Sequence, residues 1–284
     1  MRQTVQSVLE ENEYPSRTMV HVMAEQQIDD PVDHHAGARS VGRAPALNIR
    51  YRPDAVARAL GLAILLLVVA HAGVLVALYF ERPTVKGLVP LFDLERELNI
   101  PSFFSTLLLL MAAGVTSAIY ALERRERTAR YLMWAVLATG FLFMAFDEAF
   151  SVHDRHWGPF ARSLFSGVKF SGYFAFAWVA IGIPLVAFLG LLFTPFLRSL
   201  SPLLRRRLII AAVVFLTGAI VVEMFSAYWS DTNGSVVGYK LIAGVEETLE
   251  MAGLVLFIRA AMHHLADRCS SVLLEFRDAD QSGP

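Results

Sequence analysis

Residues 131–156 read YLMWAVLATGFLFMAFDEAFSVHDRH, a long apolar run that ends in a crowd of acids and histidines. Residues 131–146 carry no charge and show no amphipathic alternation. A bilayer is crossed by roughly 20 mostly apolar residues in a helix, so the stretch predicts a span over 131–152. Its last turns then hold Asp147 and Glu148, and His153, Asp154 and His156 follow at once. Five further apolar blocks of similar length lie at about 57–80, 102–122, 173–197, 207–228 and 240–263. The chain of 284 residues is 55% hydrophobic, and those residues come in blocks rather than at amphipathic spacing. The expected class is an all-α polytopic membrane helix bundle with six transmembrane helices.

That composition excludes a soluble enzyme. The formal charge of −1 gives no support for nucleic-acid binding, and the lone Cys269 excludes an internal disulfide or a thiolate cluster. No basic region leads directly into an apolar stretch with a cleavage site near the start, so the first block is expected to be a retained helix. Arginines cluster before the first span (Arg50, Arg52, Arg58), in the second loop (Arg124, Arg125, Arg127, Arg130), in the fourth loop (Arg198, Arg205, Arg206, Arg207) and after the sixth span (Arg268, Arg277). By the positive-inside rule both termini are cytoplasmic.

Residues 1–55 form the expected polar, disordered N-terminal tail, 56–265 the membrane domain and 266–284 a cytoplasmic tail. His34 and His35 are read as ordinary tail residues. In the first loop LFDLEREL is compatible with a short interfacial helix. In the third loop Phe160, Leu164, Phe165 and Val168 recur beside Arg162 and Lys169, which suggests a second interfacial segment. Trp134, Trp157, Tyr173, Tyr228, Trp229 and Tyr239 sit near span ends, where an aromatic belt is expected. Pro184, after Gly182, is expected to kink the fourth span.

The carboxylates are the chemical signal. At about 1.5 Å per residue, Asp147 and Glu148 lie roughly 6–8 Å below the outer end of the third span, with Glu223 of the fifth at similar depth. Glu246, Glu247 and Glu250 lie roughly 10 Å into the sixth, within an arc of about 100°. Six acids thus reach one level of the outer leaflet. A carboxylate at a helix centre costs about 2.5–3.5 kcal/mol; at half that, six cost on the order of 8–10 kcal/mol, as much as a typical domain's stability. Lys240, with Arg155 and Lys169 from the loop, cannot neutralise them all. A metal, a water-filled cavity or protonation must supply the rest.

Asp, Glu and His suit a divalent ion such as zinc, iron or manganese. The candidate metal ligands are Asp147, Glu148, His153, Glu223, Glu246, Glu247 and Glu250, with His153 and Asp147 as candidate catalytic proton-transfer groups. The competing reading pairs some acids with Lys240, Arg155 and hydroxyls and leaves others protonated. No Glu-x-x-His pair occurs in the spans: Gly253 stands three after Glu250 and Ser151 three after Glu148, which weakens a ferritin-like di-iron site. His71, near the middle of the first span, is either an extra ligand or proton carrier or a histidine hydrogen-bonded to a neighbouring helix. His263 and His264 mark the cytoplasmic interface.

The pattern of DE with a His five residues after the Glu, then GAIVVE at 218–223, then EETLEMAG at 246–253, resembles uncharacterised bacterial multipass membrane proteins over residues 57–265. The resemblance implies a shared helical fold and acidic site in a bacterial inner membrane, with the acids toward the periplasmic side, and no established reaction. A weaker resemblance is to membrane hydrolases that include alkaline ceramidases; their seven spans and final HxxxH are not matched here. Three functions compete: a metal-dependent enzyme, a hydrolase or oxidase acting on a lipid or other apolar substrate; a proton- or cation-coupled transporter; and a non-catalytic sensor or assembly factor. The scattered Thr116, Ser117 and Thr217 do not make a polar path toward the cytoplasm, which favours the enzyme narrowly.

Overall fold

The structure, a computed structural model, describes residues 46–49, 52–268 and 272–275. His34 and His35 lie outside the described residues. The long blocks fold as helices: α1 (Pro53–Tyr79), the short α2 (Leu88–Phe92), α3 (Ile100–Arg125), α4 (Tyr131–Phe150), the short α5 (Gly158–Leu164), α6 (Val179–Ser199), α7 (Pro202–Leu216), α8 (Glu223–Thr232) and α9 (Val236–Ala266). A wide helical turn, Thr217–Val222, joins α7 to α8 so that Pro202–Thr232 runs as one rod. Apart from this helical unit, Ala46–Ile49 (β1) pairs antiparallel with Val272–Glu275 (β2), Ala46 opposite Glu275. The reading of both flanking segments as tails without regular structure did not include this ladder.

Among the described residues, five helices are long and apolar enough to cross a membrane: α1, α3, α4, α6 and the α7–α8 rod. Their outer faces are what a lipid solvent calls for. Leu66 of α1 is 61% exposed and Leu191 of α6 is 75% exposed, sites that water would penalise and hydrocarbon would not.

Helix α9 differs, and the bundle explains why. It packs against α1, α3 and α7 at once, and Met251, Leu254, Ile258 and Ala261 along it are buried. Because protein surrounds it, α9 tolerates Lys240, Glu246, Glu247, Glu250 and Arg259, too many charges for a lipid-facing helix. The close approach of α7 depends on Gly253, where a Cβ would come within 2.7 Å of the Phe215 backbone nitrogen.

Three sequence-based boundaries differ in the structure, the first being the fourth span, expected from residue 173, whose helix α6 begins only at Val179 after a separate tight turn at Gly172–Phe174. The third span was expected to run through residue 152 and to carry Ser151, Asp154 and the His153–His156 pair on continuous helical faces. Instead α4 stops at Phe150 because Ser151 adopts a left-handed φ of 56°, its amide closing the helix on the Asp147 carbonyl. A separate wide turn, His153–Trp157, then leads into α5. In the first loop the short helix covers LVPLF rather than LFDLEREL, and the chain beyond it turns inward, burying Asp93 and Leu94. In the third loop a short helix, α5, carries Phe160 and Leu164, and it ends before Phe165 and Val168; all four present exposed apolar surface beside Arg162.

Contacts among helix ends gather the arginines at one end of the bundle. Arg259 and His263 reach Asp54 at the start of α1, at 2.7 and 3.2 Å. Glu123, fully buried in the last turn of α3, lies 3.4 Å from Arg130 Nε and 3.2 Å from Arg268 Nη1, and accepts a hydrogen bond from Thr128. Arg130 also donates to the Ser199 carbonyl at the end of α6. Trp134 is wholly buried and stacks on His264, ring centroids 5.6 Å apart, so these two are core partners rather than interfacial markers.

The Gly253–Phe215 contact generates a test. Gly253→Val should lower the stability of detergent-purified protein by about 1–3 kcal/mol, the usual cost of overpacking, seen as a lower melting temperature. Gly61→Val, where the added carbon meets open space, should melt like the wild type. Equal melting of both variants would mean that α7 and α9 do not meet as described.

Candidate functional site

At the other end of the bundle, three helices deliver carboxylates to one cavity. Glu148 comes from the last turn of α4, Glu223 from the first residue of α8, and Glu246 and Glu247 from the junction of the third and fourth turns of α9. The cavity has a volume of about 160 Å³, and its remaining lining includes Ser102, Phe176, Tyr239 and Ala243. A fourth wall is the inward-turning chain of the first loop, Leu94 to Glu97.

Local backbone features aim these side chains. The wide turn Thr217–Val222 adds a residue per turn just before Glu223, which rotates that carboxylate relative to a regular helix. Gly218 in this turn lets α9 come close: a Cβ there would sit 2.7 Å from the Glu246 carbonyl oxygen and 3.0 Å from Glu250 Cγ. Glu223 then accepts a hydrogen bond from Trp178 Nε1 at 2.8 Å, and Glu246 accepts one from Ser226 Oγ at 2.9 Å. Glu223 and Glu250 are the neighbours of Glu246 on this level, together with Glu247. Glu247 has Glu250, Glu148, Glu223 and Glu95 as charged neighbours.

The cation expected to neutralise this group is taken up by the first loop, one of whose acids, Glu95, also lines the cavity. Lys240 Nζ donates to Asp93 Oδ2 at 2.6 Å and also to Glu95. Both acceptors belong to the first loop, not to the predicted ring. Asn99 fixes the same loop, donating to the carbonyls of Asp93 at 2.7 Å and Pro90 at 3.2 Å while its Oδ1 caps α3 through the Ser102 amide. Arg96, exposed, stands at the cavity lining. Arg155 is exposed as well, and so is Lys169.

Of the seven predicted ligands, Glu148, Glu223, Glu246 and Glu247 line the cavity, and Glu250 borders it as a neighbour of Glu246 and Glu247. Asp147 is half-buried outside the lining, and the side chain of His153 lies outside the described residues. Among the described residues no three His, Cys, Asp or Glu side chains are spaced to hold a metal ion, so zinc, iron or manganese finds no ready cage. His71 does not line the cavity; it is buried against the first loop and α9. Sequence reasoning missed Asp93, Glu95 and Glu97. Their signal was present in FDLEREL, whose acids look solvated when the segment is taken for an interfacial helix.

Lipid-suited helices around a polar, acid-lined cavity define a polytopic helical membrane protein. The family model of a domain of unknown function, DUF8692, matches residues 59–265, and the chain belongs to that family. No curated protein and no solved structure matches it.

The loop clamp can be tested directly. Lys240→Met leaves the buried Asp93 carboxylate without its cation and should destabilise the protein by about 3 kcal/mol, measured by thermal or denaturant unfolding in detergent. Wild-type stability in this variant would show that the first loop is not held through Lys240.

Proposed function

We propose that the chain is a six-span membrane protein with cytoplasmic termini whose carboxylate cavity, facing the outer side, binds a cation. The observation that carries this reading is the meeting of Glu148, Glu223, Glu246 and Glu247 from three helices around one cavity while Lys240 is committed to Asp93 and Glu95. An excess of acids in a confined polar space draws in a positive ligand.

Two features support the finer parts. With a length of 31 residues, α9 is about 46 Å long, enough to cross hydrocarbon, and its contacts on three sides account for its polarity. The arginines gathered at the opposite end support cytoplasmic termini.

The cavity is better suited to holding a cation than to passing one. Toward the arginine-rich end, Leu108, Ala112 and Ile119 of α3 are buried, and the Thr116 hydroxyl is spent on the Ala112 and Ala113 carbonyls of its own helix. A polar route for transport is not supported by these residues. Metal-dependent hydrolysis or oxidation calls for a cage that the side chains do not form as placed, so no reaction step is derived through a metal. Binding, as in a sensor or receptor, is the reading that the geometry favours over catalysis.

Calorimetric titration of the protein in lipid nanodiscs with manganese, zinc and calcium chlorides tests this. At least one of these cations should bind, and Glu247→Gln should weaken that binding at least tenfold. Absence of binding by folded wild-type protein, or equal binding by the variant, would overturn the reading.

A further inference from the structure

His71 occupies a junction that the cation site alone does not explain. It lies in α1 about 12 Å from the end of the helix at Tyr79, by a rise of about 1.5 Å per residue, and is 4% exposed. Its Nδ1 accepts the Leu94 amide N–H at 3.0 Å. Because that nitrogen must offer a lone pair, the ring proton of neutral His71 is on Nε2, which donates to the Lys240 carbonyl at 3.1 Å. Gly244 makes room for the ring on α9, since a Cβ there would stand 2.6 Å from Nε2. One imidazole thus ties α1, α9 and the first loop together.

A second acceptor waits beside the same nitrogen. Asp93 Oδ1 is 3.7 Å from His71 Nδ1 and buried without a hydrogen-bond partner, while Oδ2 of the same carboxylate is held by Lys240. Orphaned carboxylate oxygens in a buried setting are costly. The arrangement therefore has two hydrogen-bonding states that differ by one proton.

We infer that His71 is a proton-operated catch on the Leu94 amide, at the start of the loop segment Leu94–Glu97 that walls the cavity. In the neutral state Nδ1 holds the Leu94 amide. When a proton from solvent adds to Nδ1, the lone pair is lost and the Leu94 N–H must leave. The new Nδ1–H turns to Asp93 Oδ1, and the Nε2–H bond to Lys240 is kept. The charged groups facing the ring are Asp93 and Glu95 from the loop and Lys240 from α9. Leu94, whose amide the ring holds, belongs to the cavity lining. Histidine titrates between about pH 5 and 8 in many surroundings, and acidification is the direction that frees the Leu94 amide, while Asp93 and Glu95 stay paired with Lys240. This inference rests on the cavity being the binding site, since it is that site whose wall the catch controls.

Hydrogen–deuterium exchange of the peptide containing Asp93–Glu97, measured on full-length protein in nanodiscs and corrected for intrinsic pH dependence, tests it. Exchange should be at least tenfold faster at about pH 5 than at about pH 8, across the range in which histidine titrates. In His71→Gln the side-chain amide can accept from Leu94 and donate to Lys240 at either pH, so exchange should stay slow throughout. Asp93→Asn, which removes the charge that receives Nδ1–H, should move the transition to lower pH by tenfold or more in proton concentration, and it serves if His71→Gln fails to fold. Exchange that is flat with pH in the wild type, equally accelerated in His71→Gln, or unmoved in Asp93→Asn would overturn the catch. Glu247→Gln should keep the wild-type exchange profile even where it loses cation binding, so failure of the cation site and failure of the catch are read separately.

Discussion

The fold depends on shielding one charged helix from lipid. Helix α9 bears three glutamates within two turns, and on a lipid-exposed helix these would oppose insertion by several kcal/mol. Packing by α1, α3 and α7 replaces lipid with protein around much of it, and small residues make that packing close. Gly253 admits the backbone of α7, and Gly218 admits the carbonyl of Glu246. The apolar helices face the bilayer, and the polar residues are left with one another and with a cavity.

The same constraint orders the first loop. A loop that stayed at the surface would leave Lys240 without acids on the inner side of the bundle. By turning inward it supplies Asp93 and Glu95 to that lysine, and Asn99 and His71 satisfy backbone groups that the turn would otherwise bury unpaired. The loop is therefore part of the packed domain. Its charges set the balance of the cavity as much as those of the helices do.

Much of this was legible in the sequence because hydrocarbon imposes a length and a polarity on every segment. Five spans could be placed within a few residues on that ground, and the convergence of Glu148, Glu223, Glu246 and Glu247 followed from depth along the helix axis. Depth could not say how an irregular turn aims a side chain. The left-handed Ser151 and the wide turn before Glu223 leave no mark in hydropathy, so the arc linking Asp147 to Asp154 did not survive, and Glu223 came by a rotation that no regular helix would give. Nor could composition tell an inward loop from an interfacial helix: FDLEREL has the charges of a solvated segment, and only its partners Lys240 and His71, far off in sequence, draw it inside.

Trp178 has a consequence of an optical kind. Its indole N–H is held by a carboxylate that itself lines the cavity, and indole emission responds strongly to a charge placed near the ring. The chain contains only four tryptophans, few enough to replace the other three. A protein keeping Trp178 alone would carry a native chromophore at the wall of its acidic chamber, reporting changes in the charge state of Glu223 without any attached label.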